Sequence, residues 1–149
     1  MAANLRVITI ALLLTLLLWG GMTGVLFADE TKFAVVVHPE QSISALSGNE
    51  IKRLFLGKMK KWPGGNAVHL VINTAEPTQG LFTRKILHKT PRQLAVYWRK
   101  SLYSGRSMLP LFLADDQQVL DYVANHRDAV SVVSTQVVDQ RVKIVDIQP

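Results

Sequence analysis

The chain has 149 residues, 48% of them hydrophobic and 19% charged, with no cysteine and a formal charge of +6. That length holds one domain, or one domain behind a targeting segment, and the composition excludes a collagen, a coiled coil, a disulfide scaffold and a polytopic membrane protein. The apolar residues are unevenly spread: positions 7–28 hold no charged side chain.

The N-terminus predicts a secretory signal peptide over residues 1–28. Arg6 and the α-amino group form its positive end, positions 7–18 make a twelve-residue uncharged, mainly apolar region, and Gly20, Gly21 and Gly24 then weaken the helix. Ala28 supplies the small residue wanted at a cleavage position, directly before Asp29 and Glu30. The competing expectation is an uncleaved anchor in the inner membrane, because 7–27 is long enough to cross a bilayer. Both readings put residues 29–149 outside the cytoplasmic membrane, in a periplasmic or other extracytoplasmic setting. Those 121 residues suffice for one hydrophobic core.

In chain order, the apolar β-branched run 33–37 predicts a strand buried on both faces, closed by His38-Pro39. Ser47 and Glu50 form a capping box, followed by Ile51, Leu54 and Phe55 at helical spacing and by Gly57. Trp62-Pro63-Gly64-Gly65 is a turn. A second strand follows over 68–72, then a polar loop over 73–80 and a helix carrying Leu81, Phe82 and Ile86. Thr90-Pro91-Arg92-Gln93 is another capping box, with proline at the first helical position. Leu94, Tyr97, Trp98 and Leu102 continue that helix as far as Gly105. Asp115 caps a helix through Val119, Leu120 and Val123, and strands are predicted over 130–133 and 142–147. Apolar strands separated by long helical crossovers imply an α/β domain with a single, mostly parallel sheet covered on both faces. Val35, Val37, Val71, Ile72, Val132 and Val133 are expected in that sheet, under Leu54, Phe55, Phe82 and Trp98.

Charge is segregated. From Lys52 to Arg106 there are twelve basic residues and one acid, Glu76; beyond Arg106 there are three basic residues and six acids. This predicts a positive face that attracts anions. No G-x-S-x-G, H-E-x-x-H or P-loop pattern is present, so the expected class is non-enzymatic, with no cofactor. His38, His69, His88 and His126 fall singly on separate elements, without metal-ligand spacing. Asp115-Asp116 reads as helix capping rather than a carboxylate pair. Trp62, Tyr97 and Trp98 near basic residues resemble a nucleic-acid face, but export argues against nucleic acid, and core packing explains them more simply.

The remaining candidate chemistry is anion binding at strand-to-helix loops, where free backbone N–H groups and the helix dipole favour phosphate or sulfate. The loops after the first two strands qualify, over 38–47 and 73–80. If they converge at the carboxyl edge of the sheet, Ser42, Ser44, Thr78, Gln79 and Gly80 supply donors and Arg84 supplies charge.

The stretch Ile51-Lys-Arg-Leu-Phe-Leu-Gly-Lys-Met-Lys-Lys-Trp62 resembles the I-F-L-G-K-I-x-x-W segment of the periplasmic phosphate-binding proteins of ABC transporters, with Leu46-Ser47 like their lead-in. Phe82-Thr83 is in register with their F-T-x-x-L helix, and Asp128-Ala-Val-Ser-Val-Val133 is similar to their G-A-I-G-Y-V strand. Their anion loop, R-x-D/E-x-S-G-T, stands here as Asn73-Thr-Ala-Glu-Pro-Thr-Gln-Gly80; aligned through Phe82, Thr78 keeps the threonine. The resemblance implies a short, single-lobe member of the type II periplasmic-binding-protein fold. It further implies capture of phosphate or a similar anion for transport or sensing, with a membrane transporter or sensor as partner. The alternative is a protein-interaction module that keeps the fold without the ligand, and two copies pairing as a homodimer is a further expectation. Mass spectrometry of the exported protein should find Asp29 as its first residue; an intact Met1 in the membrane fraction would reverse this.

Overall fold

β-branched residues set the strands, and two faces of buried side chains set the layers. The computed structural model describes residues 32–105 and 108–149, and Thr31–Pro149 forms a unit of its own. The signal segment expected over 1–28 lies outside the described residues. Strand β1 (Phe33–Val37) spans the expected residues and buries Ala34 to Val37 completely or nearly so. β2 (Ala45–Ser47) leads directly into α1 (Gly48–Phe55), and β3 (His69–Asn73) follows. Next come α2 (Thr78–Phe82), continued by a π-turn at Thr83–Leu87, and α3 (Pro91–Tyr103). The chain closes with β4 (Leu111–Leu113), α4 (Asp116–Asn125), β5 (Ala129–Ser134), a 3-10 turn at Thr135–Val137 and β6 (Lys143–Gln148).

The six strands form one mixed sheet in the order β2-β6-β1-β5-β3-β4. The β2–β6, β5–β3 and β3–β4 pairs are parallel, whereas β1 runs antiparallel to both of its neighbours, β5 and β6. The α/β class and the mostly parallel sheet are those expected from sequence. β2 and β4 were not expected; three residues are too few to leave a periodic pattern.

Local capping fixes the helix starts at the expected residues. The Ser47 hydroxyl accepts from the Glu50 N–H at 3.2 Å, and the Glu50 carboxylate accepts from the Ser47 N–H at 2.8 Å. The Ser47 N–H and hydroxyl, both donating to that carboxylate, hold the Glu50 carboxyl below its ordinary range. Thr90 and Gln93 make the same reciprocal pair ahead of α3, at 3.1 and 2.8 Å. Asp115 accepts from the N–H groups of Gln117 and Gln118 at 2.7 and 3.1 Å.

Strand alternation divides the core. On one face Val35, Val37, Ile72 and Val132 pack with Leu54, Phe55, Phe82 and Trp98. Val71 and Val133, expected under the same helices, turn to the other face with Val36, against Val119, Leu120 and Val123 of α4. Phe82 is the hub of the first layer, its ring centroid 4.6 Å from Phe55 and 5.4 Å from Phe33. Gly57, just past α1, has φ +67°, and a Cβ there would lie 2.7 Å from Cη2 of Trp98. Glycine is thus required twice over, by conformation and by space.

The Trp98 indole N–H is buried without a partner among the described residues. Phe55→Ala should therefore cost about 3–5 kcal/mol as a large core truncation. Trp98→Phe should cost less than Phe55→Ala, because removing an unsatisfied donor offsets part of the lost ring packing. Urea denaturation of both variants checks this; a small loss for Phe55→Ala would place Phe55 outside the core.

Candidate functional site

Strand direction decides which loops meet. Val37, at the end of β1, and Leu70, near the start of β3, both stand opposite Val130 of β5. At the far end, Phe33 opens β1 opposite Ser134, the last residue of β5. The loop after β1 therefore leaves the sheet at the amino edge of β3, while the loop after β3 leaves at its carboxyl edge. The expected convergence of Ser42 and Ser44 with Thr78, Gln79, Gly80 and Arg84 does not occur. A wholly apolar run reads the same in either direction, so the sequence carried no sign of β1's reversal.

At the amino edge, the loop is organised by Gln41 rather than by its serines. Gln41 is buried, donates to the Arg127 carbonyl at 3.3 Å, and receives the Ser42 N–H on its side-chain oxygen at 2.9 Å. The Lys143 ammonium donates to its main-chain carbonyl. Ser42 and Ser44 are both exposed. The shallow cavity of about 220 Å³ beside Ser42 is flanked by Glu40 and Asp128, with Arg127 paired to Glu40 at 3.4 Å. Two carboxylates and a neutralised guanidinium give a small anion no net attraction there.

At the carboxyl edge, Thr78 and Gly80 are buried, Gln79 is half-buried and Arg84 is exposed. The Glu76 carboxylate accepts the Gly80 N–H at 3.2 Å. A Cβ on Gly80 would stand 2.8 Å from Oε2 of Glu76 and 2.6 Å from Nη2 of Arg84. A carboxylate and a guanidinium thus lie over the same glycine, and the absence of a side chain is what admits them. Thr83 turns inward, donating its hydroxyl to the Gln79 carbonyl at 2.8 Å. Behind the segment, the space between Asn73, Gln79, Phe82 and Thr83 amounts to about 10 Å³, no more than one water needs.

Asn73 is the feature that sequence reading missed. It ends β3, is almost wholly buried, and fills its hydrogen-bonding capacity: its amide donates to Asp116 at 2.5 Å and to the Val132 carbonyl at 2.8 Å, and its oxygen accepts the Ala75 N–H at 2.8 Å. Asp116 also accepts the Ser134 N–H at 3.4 Å. Asp115 caps α4 as expected, but Asp116 ties α4 to β3 and β5. The available signals were a polar residue ending an apolar run and a second acid after a cap. Of the residues weighed for nucleic acid, Trp62 and Trp98 are buried, and the Tyr97 hydroxyl donates to the Leu56 carbonyl at 2.6 Å. No group of three metal-ligating side chains occurs among the described residues.

This architecture has solved counterparts. A structure assigned as a phosphate ABC transporter substrate-binding protein of Clostridium perfringens, with phosphate bound, is similar at a TM-score of 0.60 and 18% identity, covering 78% of this chain and 45% of its own. An ABC-type phosphate transport receptor from Vibrio cholerae is similar at 0.51 and 19%, covering 78% of this chain and 46% of its own. PstS from Borrelia burgdorferi is similar at 0.60 and 7%, covering 79% of this chain and 47% of its own. No family model and no curated protein matches by sequence. At these identities the likeness is one of fold: the chain has the α/β sheet of phosphate-binding proteins and spans under half their length.

The Asn73–Asp116 tie yields a test at the site's base. Asn73→Ala should cost about 2–3 kcal/mol, since it strands buried partners. Asn73→Asp should be worse at neutral pH, because it sets two carboxylates face to face, and part of that excess should vanish as acid protonates one of them. Urea midpoints at pH 7 and pH 4.5 report both effects; an Asn73→Asp protein as stable as the parent would refute the tie.

Proposed function

We propose that the chain acts outside the cytoplasmic membrane as a solute-binding-protein-like domain whose anion loop is held by its own carboxylate. It works by contact with a transporter or sensor protein rather than by carrying a tightly bound ion. The observation that carries this reading is Glu76. Its carboxylate already accepts the Gly80 N–H, and the Arg84 guanidinium lies beside the same glycine. A side chain tethered four residues away presents an effective concentration in at least the millimolar range, so a free anion at lower concentration does not displace it. The carboxylate also repels any anion approaching the same donors.

The second reading is capture of phosphate or sulfate at that segment, and one arrangement favours it. Thr78, Gly80 and Arg84 lie within two helical turns, and the Gly80 N–H that Glu76 engages is a donor of the kind that holds an oxyanion. The two readings separate in one titration. Phosphate and sulfate are added at low salt to the mature protein and to Glu76→Gln, and amide chemical shifts are followed. The first reading expects no localised change in the parent at millimolar anion and weak changes confined to residues 78–84 in Glu76→Gln. Micromolar binding by the parent, abolished by Arg84→Ala, would establish the second reading instead.

A further inference from the structure

β4 is the outermost strand beside β3, three residues long and preceded by Pro110, and its apolar side chains are open to solvent. Leu111 and Phe112 are 39% and 47% exposed, and no charge, proline or bulge interrupts the three residues. The Leu113 carbonyl accepts the Thr74 N–H at 2.8 Å, so Leu113 faces β3 with its backbone groups. Strand alternation then turns the N–H and C=O of Phe112 to the open side. At the amino end of β4, a groove of about 480 Å³ is lined by Lys60, Lys61 and His69 together with Met108, Leu109 and Leu111. Neither lysine pairs with a carboxylate among the described residues. An occupant must therefore be apolar along the strand and acidic where it reaches the groove.

The chain itself contains such a segment. Leu111-Phe112-Leu113-Ala114 runs directly into Asp115 and Asp116. We propose that two copies join edge to edge, β4 against β4, antiparallel about a twofold axis through Phe112. In that register Leu111 stands opposite Leu113 of the second copy, and Asp115 of the second copy falls beside Leu109, at the mouth of the cationic groove. Both bonds by which Asp115 caps α4 fall on Oδ1, which leaves its second oxygen to face the groove. The twofold axis repeats the match at the other end, so one patch is complementary to itself in shape and in charge. The groove lies at the amino edge of β3, away from Glu76, so this pairing stands or falls independently of the anion loop.

The absence of cysteine makes the test direct. Phe112→Cys is placed in the full chain, expressed with its exporting segment, and oxidised with copper–phenanthroline in intact cells and again after purification. Residues paired across such an axis have Cα atoms about 5.5 Å apart, within disulfide reach. The expected result is a disulfide-linked species of twice the protomer mass. Tyr103→Cys and Ile144→Cys, at positions 88% and 47% exposed elsewhere, should give several-fold less. Asp115→Asn, which keeps a capping acceptor, should lower the yield in the Phe112→Cys background. Sedimentation of the unsubstituted protein should show self-association that weakens with salt. A cross-link no stronger than in the two controls, a product containing a different polypeptide, or a monomer throughout in sedimentation would each overturn the proposal.

Discussion

The reversed strand at the centre of the sheet governs the rest of the molecule. β1 lies between β5 and β6 and opposes both, so its two ends serve opposite edges. At the carboxyl edge of β3, β1 contributes only its beginning, and what arrives there is Phe33, whose ring meets Phe82 edge-on. At the amino edge it contributes the turn that Gln41 fastens to Arg127 and Lys143. A parallel β1 would have carried that turn to the same edge as the loop after β3. Reversal leaves the Thr78–Arg84 segment without an opposing arm from β1, and the other groups at that edge, Asn73, Asp116 and Ser134, are spent on one another.

That isolation gives Glu76 its importance. An anion held by a single segment in contact with water gains nothing from a second set of donors and meets strong competition from solvent and from any tethered carboxylate. Glu76 is the single acid in the stretch from Lys52 to Arg106, and its carboxylate settles on the Gly80 N–H beside the Arg84 guanidinium. The chain supplies its own carboxylate to the Gly80 N–H. The fold shared with phosphate-binding proteins and the occupied loop are thus compatible statements about different levels of the structure.

How much of this was legible in the sequence follows from range. The three caps are local codes, a hydroxyl or carboxylate and a partner two or three residues on, and each sits where the residues required. The buried strands are nearly as local, because a β-branched run over five or six residues has few alternatives. The direction of β1 is not local: it depends on how the chain returns, and no periodicity records it. The Asn73–Asp116 bond joins residues 43 apart in sequence, and each has an adequate local explanation of its own, a loop start and a cap. β2 and β4 owe their strand form to neighbours that complete their backbone pairing, not to three residues of propensity. For the candidate site, Thr78, Gly80 and Arg84 were readable as a group, whereas the exclusion of Ser42 and Ser44 required the topology.

The charge pattern shows the same division at larger scale. Read along the chain, the basic stretch suggests one positive face. In the fold, β3 separates its members: Lys60 and Lys61 stand with His69 at the start of the strand, and Arg84 stands beyond its end. Each end then has a different electrostatic fate. At the carboxyl edge a carboxylate from the same loop lies beside the guanidinium, and attraction for a free anion falls accordingly. At the amino edge Lys60 and Lys61 border an apolar strand and, among the described residues, form no ion pair, and the chemistry able to answer both properties is an apolar segment ending in carboxylates. One sequence feature thus resolves into an end where a carboxylate of the same loop lies near the guanidinium and an end bordered by apolar side chains, and it is the second that has reason to be a surface of contact.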